Sequence, residues 1–101
     1  MTRYLLTAEA KEDLAAIRTY LVRQAGTRVA RSTLAVLREA IVFLGRTPGA
    51  GHIREDLTDK PLKFWTVYSY LIVYDPETRP VHIIRVIHGR REVTSILAND
   101  D

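Results

Sequence analysis

The chain contains no cysteine, which removes disulfide frameworks, cysteine-ligated zinc and thiol nucleophiles together. It has few residues that break structure, with 5 Gly and 4 Pro, and it lacks internal repeats, low-complexity tracts and Gly/Ser linkers. No apolar run comes near the ~18–20 residues of a membrane helix. Met1-Thr2-Arg3-Tyr4 lacks the charged segment and apolar stretch of a signal peptide. A chain of 101 residues buries only ~60–65% of the surface its unfolded form exposes, so it holds one core and no separate substrate domain. The expectation is one soluble, cytoplasmic domain over residues 1–101, with no cofactor and no membrane partner.

What is present is arginine. Of 15 basic residues only Lys11, Lys60 and Lys63 are lysines, and the net charge is +3. Guanidinium suits planar, bidentate contact with carboxylate or phosphate, although a GC-rich genome produces the same bias.

Periodicity predicts a strand over Thr2 to Leu6. Thr7 then offers a hydroxyl cap to a helix carrying Glu9 in its first turn and Ala10, Leu14, Ile17 and Leu21 on one apolar face. Gly26 stops it. A second helix over Arg28 to Leu44 bears one apolar row at Ala30, Leu34, Leu37, Ile41 and Leu44, and another at Val29, Val36, Ala40 and Phe43. So wide a stripe either covers both a helix and a sheet or leaves part of itself for another protein. Gly45 and then Thr47-Pro48-Gly49-Ala50-Gly51 read as its end. The short link at Gly26 and Thr27 requires an antiparallel helical hairpin.

From Pro61 the period shortens. Leu62 to Val67, Tyr70 to Asp75 and Val81 to His88 read as three strands, with Pro76-Glu77-Thr78-Arg79-Pro80 as an antiparallel connection. The last strand is apolar at nearly every position, as a central strand would be. No element is assigned to the tail from Arg90. The fold class is α+β: an N-terminal strand, a helical hairpin, then a three-stranded antiparallel meander in one sheet. The hairpin covers one face of the sheet and leaves the other as a candidate functional face.

Several chemistries fail on spacing. Gly49 and Gly51 follow a helix and lack the Gly-Lys-Ser/Thr of a phosphate loop. His82 and His88, read on one strand face, stand roughly 20 Å apart and cannot share an ion; His52 comes from a distant loop. Glu9, Glu12, Asp13, Glu55, Asp56 and Asp59 read as solvated carboxylates on a helix surface or a polar loop. The basic residues resist dismissal. Arg79, Arg85, Arg90 and Arg91 lie between Thr78 and Arg91 with no acid among them, and Arg54, Lys60 and Lys63 could join that patch. Arg85, inside an apolar strand, must reach a carboxylate or open onto a functional face. Phe64, Trp65, Tyr68, Tyr70 and Tyr74 read mainly as packing and cross-strand pairs.

Four stretches in this order carry a resemblance: Leu6-Thr7-Ala8-Glu9-Ala10-Lys11-Glu12-Asp13-Leu14-Ala15-Ala16-Ile17, Gly51-His52-Ile53-Arg54-Glu55-Asp56-Leu57, Tyr70-Leu71-Ile72-Val73-Tyr74, and Arg85-Val86-Ile87-His88-Gly89-Arg90-Arg91-Glu92. Over nearly its whole length the sequence resembles the RelE/ParE superfamily of toxins from bacterial type II toxin-antitoxin systems, and within it the ParE branch. It departs from that pattern at Arg90, where a small residue is frequent, and at His52, where Arg is frequent.

The resemblance implies a non-enzymatic toxin of a plasmid-stabilisation type of system that inhibits DNA gyrase. Its partner would be a ParD-like antitoxin whose ribbon-helix-helix end binds operator DNA, so that the toxin meets DNA only indirectly. Antitoxin contacts would fall on Val29, Val36, Ala40 and Phe43 and on Arg54, Arg85, Arg90 and Arg91; target contacts would fall on His88, Arg90 and Arg91. The alternative is a RelE-type, ribosome-dependent mRNA interferase, which needs groups to deprotonate a 2′-hydroxyl, stabilise a phosphorane and protonate a leaving oxygen. His88, Arg91 and Arg85 are its candidates, because no Tyr follows Tyr74.

Overall fold

The computed structural model describes residues 3–89 and 93–98. Strand β1 (Tyr4–Leu6) leads into α1 (Ala8–Ala25) and α2 (Thr27–Arg46), followed by a 3-10 turn at Pro48–Ala50, β2 (Lys63–Val67), β3 (Tyr70–Asp75), β4 (Val81–His88) and a short α3 (Val93–Ala98). The sheet order is β1-β4-β3-β2. The last three strands form the expected antiparallel meander, and β1 joins β4 in parallel. β4 is therefore central, as its apolar run requires.

Thr7 links strand and helix. Its backbone N–H donates to Ile83 O at 3.1 Å, extending the β1 pairing, while its side-chain oxygen accepts from Ala10 N at 3.1 Å and caps α1. At the other end a single residue makes the hairpin turn. Gly26, at φ 93°, donates its N–H to Leu21 O and Val22 O and is also the N-cap of α2; a side chain there would be strained.

α2 runs two residues past the predicted end, and Gly45 does not stop it. A Cβ at Gly45 would stand 3.1 Å from Arg3 O, so this glycine lets the helix lie directly on β1. One core fills the space between hairpin and sheet, joining Leu34, Leu37, Ile41 and Leu44 to Ile72, Tyr74, Val81 and Ile83.

The second sheet face is not left free. α3, in the tail to which the sequence assigned no element, seats Val93 and Leu97 on Leu62, Phe64, Val73 and Ile87. Lys60 Nζ donates to Leu97 O at 2.9 Å and holds the end of that helix. No described helix is long and apolar enough to cross a membrane.

Candidate functional site

β1 covers only Val81, Ile83 and the residue between them, so β4 continues beyond it with an unpaired edge. The pairing of β4 with β3 shifts there: Val73 faces Arg85 while Tyr74 faces Ile83, leaving Ile84 as the extra residue of a bulge. The bulge reverses the strand's alternation. Val81 and Ile83, and beyond the bulge Val86, point to the hairpin-side core, whereas Ile84 and Ile87 belong to the outer core. His82 and His88 consequently lie on opposite faces, a correction to the alternation the sequence suggested.

The polar groups of this edge are served by side chains from α1 and its cap. Thr7 Oγ1 donates to Ile84 O at 2.8 Å. Asp13, expected on a solvated helix surface, instead accepts from Val86 N at 2.9 Å and from the Arg85 fork, with Nε to Oδ2 at 2.7 Å and Nη2 to Oδ1 at 2.9 Å. Both side chains are largely buried, with 14% of Arg85 and 10% of Asp13 exposed. Of the two fates set for Arg85, the structure shows the carboxylate. Such a bidentate pair fixes geometry as well as charge.

Beside the pair opens a groove of about 430 Å³, floored by Ala16, Ile17 and Val86 and walled by Tyr20, Tyr70 and His88. His88 meets Tyr70 edge to face, with ring centroids 5.4 Å apart. Burial, and secondarily the Tyr20 phenol, pushes the Tyr70 hydroxyl above the usual phenol range. Sequence reasoning had missed the two tyrosines as groove residues. Tyr20 is 58% exposed on α1, and a large exposed aromatic one helical turn after Ala16 and Ile17 is the signal that could have found it.

The apolar row on α2 divides. Val36 and Ala40 pack against the core, but Val29 and Phe43 remain 43% and 41% exposed. Phe43 rests on Trp65 of β2, ring centroids 5.4 Å apart. This row meets the β2 edge of the sheet, whereas Arg85 and His88 lie on β4, with β3 between.

Arg54 stands apart from both, in a loop fixed at its root. Tyr74 Oη accepts from Gly51 N at 2.8 Å and donates to Pro48 O at 2.7 Å. A Cβ on Gly51 would lie 2.5 Å from that hydroxyl, so the close approach needs glycine. Burial raises the Tyr74 phenol above its ordinary value, partly offset by the Gly51 N–H. Farther out, Arg54 grips Asp56 through two hydrogen bonds of 3.0 and 2.8 Å, with 44% and 62% of the side chains exposed. Their hydrogen bonds hold the Asp56 carboxyl below and the Arg54 guanidinium above their usual ranges.

Lys60 and Lys63 do not join a patch on β4. β2 pairs with β3, and the amine of Lys63 donates to Gly49 O at 3.3 Å. Arg90 and Arg91 lie outside the described residues. Among the described residues no group of His, Asp and Glu could hold a metal ion.

The fold matches that of solved toxin-antitoxin proteins: a chain of the chromosomal ParDE TA system from P. aeruginosa superposes with a TM-score of 0.71 at 19% identity, covering 84% of this chain and 92% of that one. The family model described as "ParE toxin of type II toxin-antitoxin system, parDE" matches residues 4–93. The chain belongs to this family. Among curated proteins it is similar to the Toxin ParE of Escherichia coli, with 27% identity over 99 residues, 98% of this chain and 96% of that protein.

Proposed function

We propose that this ParE-family toxin acts by docking onto a larger machine, DNA gyrase, and that a ParD-like ribbon-helix-helix antitoxin silences it by covering the apolar flank of α2. The observation that carries this reading is the half-exposed pair Val29 and Phe43 on the row that Val36 and Ala40 continue into the core. A docking partner gains by burying such side chains. Arg54, Arg90 and Arg91 would meet antitoxin carboxylates, with Arg85 contributing through its pair with Asp13. His88, Arg90 and Arg91 would face the target. In this reading the protein works in the cytoplasm, has no catalytic residue and reaches operator DNA only through its antitoxin.

The test is co-expression with a ribbon-helix-helix protein encoded beside it. Val29→Asp with Phe43→Asp should weaken capture roughly tenfold or more while leaving the circular dichroism unchanged. Undiminished capture would sink the antitoxin half of the reading. The target half is read in a supercoiling assay with purified gyrase, where the toxin should inhibit.

One observation favours the interferase alternative: His88, Tyr70 and Tyr20 converge on one groove beside the Arg85–Asp13 pair, and these are groups able to move protons. If message ends mapped in a translation reaction reveal new cuts that His88→Ala abolishes, cleavage replaces docking as the mode of action.

A further inference from the structure

The groove beside the Arg85–Asp13 pair has two unlike ends. Its α1 wall is a single helical stripe, Asp13, Ala16, Ile17 and Tyr20, at the spacing that puts side chains on one face. The seven positions from Asp13 to Tyr20 span ~10 Å of helix axis. Across from that stripe β4 has no strand beside it past Ile83, because β1 has ended. A helix therefore faces an open strand edge, and the space of about 430 Å³ between them lies in the range of small-molecule sites.

One end is aromatic. Tyr70 and His88 stand directly opposite in the β3–β4 register, and their rings meet at 89°. Packed this way the two rings hold each other in place, and Tyr20 completes the wall from the helix. The other end is polar. Asp13 Oδ2 accepts two hydrogen bonds, from Arg85 Nε and Val86 N, whereas Oδ1 accepts one among the described residues, from Arg85 Nη2. Each carboxylate oxygen has room for about two donors. The groove thus offers an acceptor site at Asp13 and ring faces at the far end, over an apolar floor of Ala16, Ile17 and Val86.

We infer that the groove between α1 and the free edge of β4 is a binding site for a small, uncharged, planar aromatic molecule carrying an N–H donor, the chemistry of an indole. The rings of Tyr20 and Tyr70 take the aromatic body, and Asp13 takes the N–H, a charge-assisted hydrogen bond. Neutrality follows from the ion pair. The Arg85 guanidinium already offsets the Asp13 carboxylate, so a cation gains little there, and an anion is repelled by the carboxylate it must face. The inference does not rest on the docking reading, since none of the apolar α2 residues assigned to the antitoxin lines this groove.

The test titrates the full chain with indole by calorimetry and follows the methyl signals of Ile17 and Val86 by NMR. Indole should bind saturably with a dissociation constant on the order of 0.1–1 mM, and those methyl signals should shift most. 1-Methylindole keeps the ring and loses the donor, and should bind roughly fivefold or more weakly. Indole-3-acetate, which adds a negative charge, should bind more weakly too. Ala16 is exposed on α1, so Ala16→Phe can fill the groove with the fold intact, and should reduce affinity about tenfold or more. Tyr20→Ser, which opens the wall, should also weaken binding, whereas Ile53→Ser in the distant loop should change it by less than about twofold. Circular dichroism confirms that each variant is folded, and the methyl shifts locate the site in the unaltered protein. The inference is overturned by absence of saturable binding, by shifts centred elsewhere, by equal affinity for 1-methylindole, or by undiminished binding to the folded Ala16→Phe protein. Tighter binding of N-acetyltryptophanamide than of indole overturns it as well, because the groove would then favour a tryptophan of a protein partner over a free small molecule.

Discussion

At the free edge of β4 one arginine meets one carboxylate, and the Arg85–Asp13 pair also closes an open backbone N–H. At the far end of the hairpin five arginines, Arg18, Arg23, Arg28, Arg31 and Arg38, meet no carboxylate among the described residues. In sequence the two regions rank the other way: the stretch around Arg85 draws attention as an acid-free basic cluster, while the arginines of α1 and α2 disappear into ordinary helix surface. The difference lies in what the fold brings near. A charge becomes available for binding only if no distant element has already engaged it, and Asp13 lies 72 positions from Arg85.

The comparison breaks most visibly at Asp13. Asp13→Ala leaves a largely buried guanidinium and the Val86 N–H without their acceptor, and should cost about 2–4 kcal/mol in urea denaturation. Asp13→Asn, which keeps an acceptor for Val86, should cost less. A double-mutant cycle with Arg85→Met isolates the pair, and the doubly substituted protein should recover part of the loss because no orphaned charge remains. A loss under about 0.5 kcal/mol for Asp13→Ala would place Arg85 with the exposed arginines, where ion pairs contribute little.

The same dependence on distant partners divides what the sequence revealed from what it did not. Helical spacing in α1 and α2 and β-branched runs in β3 and β4 are local signals, and those elements emerged nearly as read. Gly45 misled because a glycine near a helix end reads as a stop, and only the approach of β1 reveals its use. The β4 bulge is supported by Thr7 and Asp13, both far away in the chain. α3 has six residues, and no periodicity distinguishes so short a helix from a frayed tail. Of the proposed contact residues, Val29 and Phe43 could be named from the wide stripe, but which half of that stripe enters the core depended on where the sheet lies.

Tyr74 tests the root of the loop. Tyr74→Phe removes the acceptor of Gly51 N–H and the donor to Pro48 O, an expected loss of about 1–3 kcal/mol. It also has a pH signature. The phenols of Tyr70 and Tyr74 are both raised by burial, so the folded protein holds these protons more tightly than the unfolded chain does. Their contribution is complete below the ordinary phenol range and is lost as pH climbs through ~10 and above. Urea midpoints should therefore fall at alkaline pH, less steeply in the Tyr74→Phe protein. Parallel curves for the two proteins would mean that Tyr74 does not cause the decline.

Arg54 stands between the two extremes and has the smallest expected effect on stability. It has a partner, Asp56, but the pair is exposed, so solvent and salt screen it. Arg54→Gln should leave the melting temperature unchanged within error. Because Arg54 can leave Asp56 at little cost, antitoxin binding should nonetheless weaken a few-fold at low ionic strength, and the deficit should shrink as salt is added. A deficit that persists at high salt would assign the contact to the stem of Arg54 or to the neighbouring Ile53, which is 62% exposed. An Ile53→Ser variant separates those two: if it reproduces the salt-insensitive loss, the loop docks through its apolar residue and the arginine only accompanies it.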